Sequence, residues 1–371
     1  MKKICFLIGG YNNSGGTERV TSQIANGLVD RGYDISIVSI ERGLKPHYHT
    51  DKRICLYELD QSDKYELGNS TLIDKLEFRF WSAKKISNIK KSFCGVISKI
   101  LPDVVVAVDI ECYRIIDAFR GRYGYKTIAW EHFSLLTRNS LGVNYSRYLA
   151  SNHAAKLIVL SDNDLIDYKR KYPRAKNLMR MHNPLAFQPK RDADMKNKVV
   201  IAAGRYVPQK GFDLLIDAWS RISIDTSEWE LRIYGDGADR NKLEKLVLNK
   251  QLTNVKLLPY ANDLAKEMTK ASIYALSSRF EGWGLVLIEA QAIGLPCVSF
   301  DCKHGPSEII DNGVNGFLVP QEDVDMLAHK LSVLIADESL RKDFSDNSQK
   351  DLYRFEINNI INQWEKLLLS I

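Results

Sequence analysis

The sequence predicts an α/β protein made of two doubly wound parallel-sheet domains. Three observations carry this expectation. Short Val- and Ile-rich runs alternate with segments of helical period. The alternation restarts after one polar, proline-containing stretch. The 371 residues exceed a typical domain of about 100–150 and suit two. Hydrophobic content of 45% and charged content of 26% are ordinary for a globular chain, so each half can bury its own core. No short-period repeat or low-complexity tract interrupts the pattern.

The first strand-like run is Ile4–Ile8. It is far shorter than the ~20 apolar residues that cross a bilayer. No small-residue cleavage site follows, so it reads as a buried strand and not as a leader. Ile35–Ile40, Val104–Val108, Thr127–Trp130 and Leu157–Leu160 follow, separated by helical segments. Such runs, short and rich in Val and Ile, belong to parallel sheets covered on both faces. Gln188–Asn197 holds three basic and two acidic residues and no aromatic, and reads as a linker. Beyond it, Lys198–Ala203, Leu231–Tyr234, Val255–Leu258, Ser272–Leu276 and Pro296–Phe300 read as strands. Phe212–Ile222 and Ile357–Leu369 have helical period. The expected organisation is an N-terminal domain over 1–187, a linker over 188–197 and a C-terminal domain over 198–352. A final helix over 353–371 is expected to pack back on the first domain.

The six cysteines, Cys5, Cys55, Cys94, Cys112, Cys297 and Cys302, form no CxxC pair. They read as reduced core residues of a cytoplasmic protein, with Cys297 and Cys302 the one conceivable redox pair. Net charge of +6 suits a polyphosphate ligand, an anionic membrane surface or a merely solvated lysine-rich exterior.

In doubly wound sheets, ligands sit beyond the C-terminal strand ends. Three such places carry glycine and charge. The loop Gly9 to Arg19 contains Gly15-Gly16-Thr17-Glu18-Arg19 and leads from a strand into a helix. It can present backbone N–H groups to a phosphate, with Gly16 allowing close approach. It also reads as a mere connection needing positive φ, and it matches neither the dinucleotide fingerprint nor a P-loop. Gly204 to Gly211 sets Arg205 and Lys210 in one turn, able to clamp a diphosphate or to stand as solvated loop charges. Ser277 to Ala290 places Glu281 in a turn and Glu289 in an otherwise apolar helix. A buried carboxylate needs a partner, either a sugar or ribose hydroxyl or a structural hydrogen bond.

These motifs together resemble glycosyltransferase family 4, whose members are retaining and adopt the GT-B fold, two Rossmann-like domains facing a cleft. Glu281-x7-Glu289 is similar to its E-x7-E signature and Gly15-Gly16-Thr17-Glu18-Arg19 to its GGxER loop. Gly204-Arg205 through Lys210-Gly211 is similar to its diphosphate clamp, and Gly235-Asp236-Gly237 to its GxG turn. The match runs through nearly the whole chain in the family's order. The resemblance implies catalytic roles for His132, Arg205, Lys210 and Glu281. It implies donor-binding roles for Gly15, Gly16, Arg205, Lys210, Gly235, Gly237, Glu281, Gly282, Gly284, Leu285 and Glu289. Within these, Arg205 and Lys210 would neutralise the diphosphate, Glu281 would hold the donor sugar, and Glu289 the ribose. His132, after Trp130-Glu131, is similar to the histidine that the family sets beside the donor sugar, with Glu131 the alternative polar group. Asp301 to Ile310 resembles a stretch that wraps UDP-sugars, with His304 a further candidate. Asn183-Pro184 resembles the family's PNG hinge, but Leu185 replaces its glycine.

The implied reaction moves a hexose or N-acetylhexosamine from a nucleotide-sugar, UDP-linked in this expectation, with retention at the anomeric carbon. The leaving diphosphate oxygen takes the acceptor proton. The expected acceptor is a lipid-linked oligosaccharide or polysaccharide of bacterial cell-surface glycan synthesis. No metal and no other cofactor are expected. The D-x-D triplets Asp162-Asn163-Asp164, Asp192-Ala193-Asp194 and Asp323-Val324-Asp325 read as chance or helix starts, the first capped by Ser161. Lys75–Lys99 holds seven Lys/Arg against Glu77, interleaved with Phe78, Phe80, Trp81 and Phe93. It reads equally as a membrane-surface helix and as a helix packed on the N-terminal sheet. A cytoplasmic location, peripheral to the membrane, follows from the first reading. Nucleic acid fits poorly, because no matching motif or domain-wide basic patch occurs. The rivals are a non-catalytic sugar-nucleotide or membrane scaffold and a sugar-nucleotide epimerase or phosphorylase on the same architecture.

Overall fold

The computed structural model describes the backbone of residues 1–13, 15–43, 45–59, 72–137, 139–190 and 192–371, and the side chains of the same residues except 72–83. The chain forms two compact units, Met1–Ala186 with Ile357–Ile371, and Phe187–Glu356.

Among the described residues the first unit carries seven parallel strands. They are β1 (Lys3–Ile8), β2 (Asp34–Ser39), β3 (Cys55–Glu58), β4 (Val104–Val108), β5 (Lys126–Trp130), β6 (Lys156–Val159) and β7 (Leu178–Arg180). Their order is β3-β2-β1-β4-β5-β6-β7. Ile4 of β1 pairs with Ile35 on one side and Val104 on the other. The second unit holds β8 (Val199–Ala203), β9 (Glu230–Tyr234), β10 (Val255–Leu258), β11 (Ile273–Leu276), β12 (Cys297–Phe300) and β13 (Gly316–Val319), in the order β10-β9-β8-β11-β12-β13. Both sheets are parallel and reverse their strand order once, between β1 and β4 and between β8 and β11. Those two reversals are the switch points where such sheets open for ligands. β4, β8, β11 and β12 are buried at every residue, which is why each reads as an unbroken apolar run.

The stretch 188–197, expected as a linker, is hydrogen-bonded within the second unit. Lys190 N–H donates to the Ala292 carbonyl, Asp192 and Ala193 N–H donate to Ile293, and the Arg341 guanidinium donates to Met195 O. Its contacts run through backbone, so polar side chains gave no sign of them; Arg191 lies outside the described residues. The final helix, Ile357–Ser370, buries Ile360, Ile361, Trp364, Leu367 and Leu368 in the first unit. It packs against the helix Gly16–Asp30, where a Cβ at Gly27 would stand 2.5 Å from Ile361 Cδ1. Trp364 meets Trp130 edge-on at 4.9 Å and Phe6 at 6.2 Å.

Helix Leu72–Ile100 buries Ile89, Phe93, Ile97 and Ile100 in the core against the first sheet and exposes Lys84, Lys91 and Lys99. In its described half, therefore, the apolar side faces protein. The side chains of Lys75, Phe78, Arg79, Phe80 and Trp81 lie outside the described residues. No helix among the described residues is long and apolar enough to cross a membrane. All six cysteines are free. Four are buried, whereas Cys55 is exposed on an edge strand and Cys94 half-buried, so these two depart from the expected core placement.

Candidate active site

At the switch point of the second sheet, the loops after β8 and β11 are knit together. Arg279 N–H donates to Gln209 O at 2.8 Å, Gln209 Nε2 to Phe280 O at 3.1 Å, and Ser277 Oγ to Lys210 O at 3.0 Å. Gly211 is left-handed (φ 60°), and a Cβ there would stand 2.0 Å from Ser277 O, so only glycine permits this approach. The result is an ion pair between residues 71 apart in sequence: Lys210 Nζ lies 2.7 Å from Glu281 Oε1. Ser278 Oγ donates to the same oxygen at 2.6 Å. Glu281 is buried and Lys210 mostly so, which strengthens their attraction over that of a surface pair. Arg205, on the same loop as Lys210, is exposed and makes no side-chain hydrogen bond among the described residues.

Gly284 (φ 87°) ends the Glu281 loop and starts the helix Leu285–Ile293 with no side-chain cap. The first N–H groups of this helix therefore stand at its positive end, a place for anionic oxygen. Glu289 is buried further along the same helix. Gly282 lies in the turn between Glu281 and Trp283.

Gly235 and Gly237 meet backbone. A Cβ at Gly235 would lie 1.9 Å from Gly204 O, and one at Gly237 2.5 Å from Tyr206 O. Tyr206 N–H donates to Asp236 O at 2.8 Å. The GxG turn thus shapes the Arg205–Lys210 loop from behind. Tyr206, which sequence reasoning passed over, ties the same region by donating its hydroxyl to Ile233 O and Leu258 O.

A third loop closes on Trp283. Gly305 (φ 101°) presses so closely that a Cβ would stand 2.0 Å from Trp283 O. Trp283 packs edge-on to Phe355 at 5.9 Å, and Arg354 Nη2 donates to Glu308 O at 2.6 Å. His304, in this third loop, is buried.

Gly15, Gly16 and His132 belong to the first unit. Gly15 (φ −81°) caps the helix that Gly16 begins, with Glu18 so near that a Cβ at Gly15 would lie 2.3 Å from its Oε2. Ser14, inside this loop, lies outside the described residues. His132 is 8% exposed, and its Nε2 has no hydrogen-bond partner among the described residues. Its ring lies 4.4 Å from Trp130, at the end of the aromatic row Phe6–Trp364–Trp130. Burial pushes the imidazole down to about 3, so it is neutral at ordinary pH and offers one nitrogen to a neighbour.

Glu131, the alternative to His132, is a structural group. Its Oε2 accepts from Arg147 Nε at 3.0 Å and from the Tyr168 hydroxyl at 2.6 Å, and Phe133 N–H reaches Oε1 at 3.3 Å. Arg147 is fully buried and also donates to Leu135 O and Ser134 O. The lone signal in the sequence was a carboxylate beside a buried strand; its partners lie 16 and 37 residues away.

The D-x-D triplets are engaged in helix caps and local pairs. Asp164 is capped by Ser161, accepts also from Leu135 N–H, and burial pushes its carboxyl up to about 7. Asp323 caps the helix Val324–Ala336. Asp192 pairs with Lys190, and Asp194 accepts from Lys196 N–H.

The family described as "Glycosyl transferases group 1" matches residues 186–351. An uncharacterized glycosyltransferase of Haemophilus influenzae is 30% identical over 371 residues, covering 99% of this chain and 100% of its own. A Campylobacter jejuni enzyme named as an α-1,4-N-acetyl-D-galactosaminyltransferase acting on a diphosphoundecaprenol-linked saccharide is 27% identical, covering 100% of this chain and 99% of its own. Among solved structures, a TarM mutant of S. aureus crystallised with UDP, fondaparinux and α-GlcNAc-glycerol superimposes with a TM-score of 0.81. It is 17% identical and matched over 99% of both chains. The two doubly wound sheets and this likeness establish the fold as GT-B.

Proposed function

The chain belongs to the group 1 glycosyl transferases and is a glycosyltransferase, and from that premise we propose a retaining enzyme that takes a hexose or N-acetylhexosamine from a UDP-sugar. The acceptor in this reading is a lipid-linked oligosaccharide or polysaccharide of bacterial cell-surface glycan synthesis, met by peripheral contact with an anionic membrane. The observation that carries it is the Lys210–Glu281 pair at the switch point. It sets a cation for a diphosphate against a carboxylate for sugar hydroxyls, on two loops that the Gly211 contact and three hydrogen bonds hold together.

In this scheme the C1–O bond to the diphosphate breaks while the acceptor oxygen bonds to C1 from the same face. The acceptor proton passes to the departing phosphate oxygen. Lys210 and Arg205 stabilise the charge that develops on the leaving group, the largest electrostatic demand of the step. Glu281 orients the sugar and forms no bond to it. Glu289 holds the ribose, and neutral His132 offers its free nitrogen to the donor sugar. Two cations on one loop take the place of a divalent ion, so no metal is required. The UDP seen with TarM supports the choice of nucleotide.

The test is calorimetric titration with UDP and UDP-sugars in EDTA, paired with product analysis. Binding that Lys210→Ala weakens at least about tenfold, with transfer surviving EDTA, is the expected result. Binding of no nucleotide, or transfer that EDTA abolishes and Mn²⁺ restores, would overturn it. Conversion of the UDP-sugar to its epimer without any acceptor would favour the epimerase.

A further inference from the structure

The helix Leu141–His153 joins β5 to β6 and has two unlike faces. Val143, Ser146, Leu149 and Ala150 point into the core, and Arg147 to Glu131. The opposite stripe is apolar where solvent would favour charge. Leu141 is 80% exposed, Tyr145 56% and Tyr148 55%. Their spacing of four and three residues sets them in one row. Leu136, in the loop just before the helix, is 51% exposed.

Cations border this row on two sides. The helix contains no Asp or Glu. Arg114 lies over its first turn, where a Cβ at Gly142 would stand 2.9 Å from Nη1. Its Nε is buried with no hydrogen-bond partner among the described residues. On the neighbouring helix, Asp162–Lys171, Lys171 Nζ donates to Asn144 Oδ1 at 2.9 Å, beside Tyr145, and Lys169 and Arg170 precede it in the last turn. The nearby carboxylates are engaged. Asp117 is held by Arg120 and His153, Asp162 by Arg180, and Asp167 lies 4.0 Å from Arg170.

We propose that the Leu141–Tyr145–Tyr148 row, flanked by Arg114 and Lys171, is the surface by which the protein lies on an anionic lipid bilayer. Tyrosine suits the boundary between headgroup and acyl chain, having an apolar body and a polar tip. Leu141 supplies the group that enters the acyl region, and Arg114 and Lys171, in no ion pair among the described residues, meet lipid phosphates. The apolar atoms project from a helix rather than line a groove, which fits a fluid surface better than the ridge of a second protein. This deepens the lipid-linked acceptor reading above and places the contact away from the buried face of helix Leu72–Ile100.

Sedimentation of the full chain with large vesicles tests it, using phosphatidylglycerol mixed with phosphatidylcholine, or phosphatidylcholine alone. The variant is Leu141→Ser/Tyr145→Ser/Tyr148→Ser, all exposed positions, with its fold checked by circular dichroism. The expected result is binding to the phosphatidylglycerol vesicles that falls at least about tenfold in the variant and on phosphatidylcholine alone. No binding to the anionic vesicles, or equal binding by the variant, would overturn it. So would a variant that keeps its vesicle affinity while a dimer falls apart, which would give the row to a second copy of this chain. The assay needs neither donor nor turnover, so its failure is distinct from a failure of the transferase reading.

Discussion

Arg147→Met is the sharpest test of the first unit's architecture. The guanidinium is fully buried and donates to Glu131, Leu135 and Ser134. Its removal leaves the Glu131 carboxylate buried with only the Tyr168 hydroxyl and Phe133 N–H. Breaking a buried pair from one side costs about 3–5 kcal/mol. For a unit of this size each kcal/mol moves the midpoint by roughly 2–4 °C, so the transition should fall by roughly 6–20 °C. The sign of the pH dependence follows from Glu131. Burial holds its pKa above the ordinary 4.5, and Arg147 pulls it back. Without Arg147 it rises further, so the folded state keeps a proton that the unfolded chain has shed. The unfolded state then binds fewer protons, and stability falls as pH rises from about 4.5. The variant's deficit should therefore be larger at about pH 8 than at about pH 5. Glu131→Gln/Arg147→Met removes the stranded charge and should recover about half of the loss or more. Scanning calorimetry, with hydrogen exchange in β5 and β6 to assign the first unit's transition, reads all three. A deficit under about 1 kcal/mol, or one equal at both pH values, would refute the reasoning.

Three further outcomes are expected. Gly211→Ala forces a Cβ to within 2.0 Å of Ser277 O at φ 60°, so it should separate Lys210 from Glu281 and lower kcat/KM at least about tenfold; unchanged kinetics would show the loop contact to be unimportant. Phe355→Ala removes the support under Trp283 and should raise the donor KM roughly fivefold with kcat nearly kept, while Phe355→Tyr retains both; a loss confined to stability would reduce Phe355 to packing. Because burial keeps the His132 imidazole down to about 3, kcat/KM should show no His132-dependent inflection between about pH 5 and 8. An inflection near pH 6.5 that vanishes in His132→Gln would contradict this.

Legibility in the sequence followed burial. β1, β4 and β8 are central strands in which almost every residue is apolar, and each announces itself. β3 and β7 lie at the two edges of the first sheet, short and half-exposed, and carry no such run. The loops bearing Lys210 and Glu281 were recognisable because each motif is local. Their meeting was not, since it depends on the close approach of Gly211 to Ser277 O, between loops far apart in sequence. The D-x-D triplet ending at Asp164 was read correctly as a capped helix start from Ser161 alone. Glu131 could not be told from a site residue, because Arg147 and Tyr168 reach it only in three dimensions. The hydrogen bonds of the stretch 188–197 were hidden for a related reason: composition reports side chains, and this stretch binds through its backbone.

The return of Ile357–Ser370 to the first unit has a consequence for how the chain is made. The second unit is one uninterrupted stretch, Phe187–Glu356, and is complete once that stretch has left the ribosome. The first unit is synthesised earlier yet lacks Trp364, the ring between Phe6 and Trp130, until the last helix emerges. The usual order, with the N-terminal domain settling first, therefore cannot run to completion before the last helix is made. During translation the half that holds His132 keeps an open apolar seam along Gly27 and Trp130 until a segment made after the whole of the other half arrives.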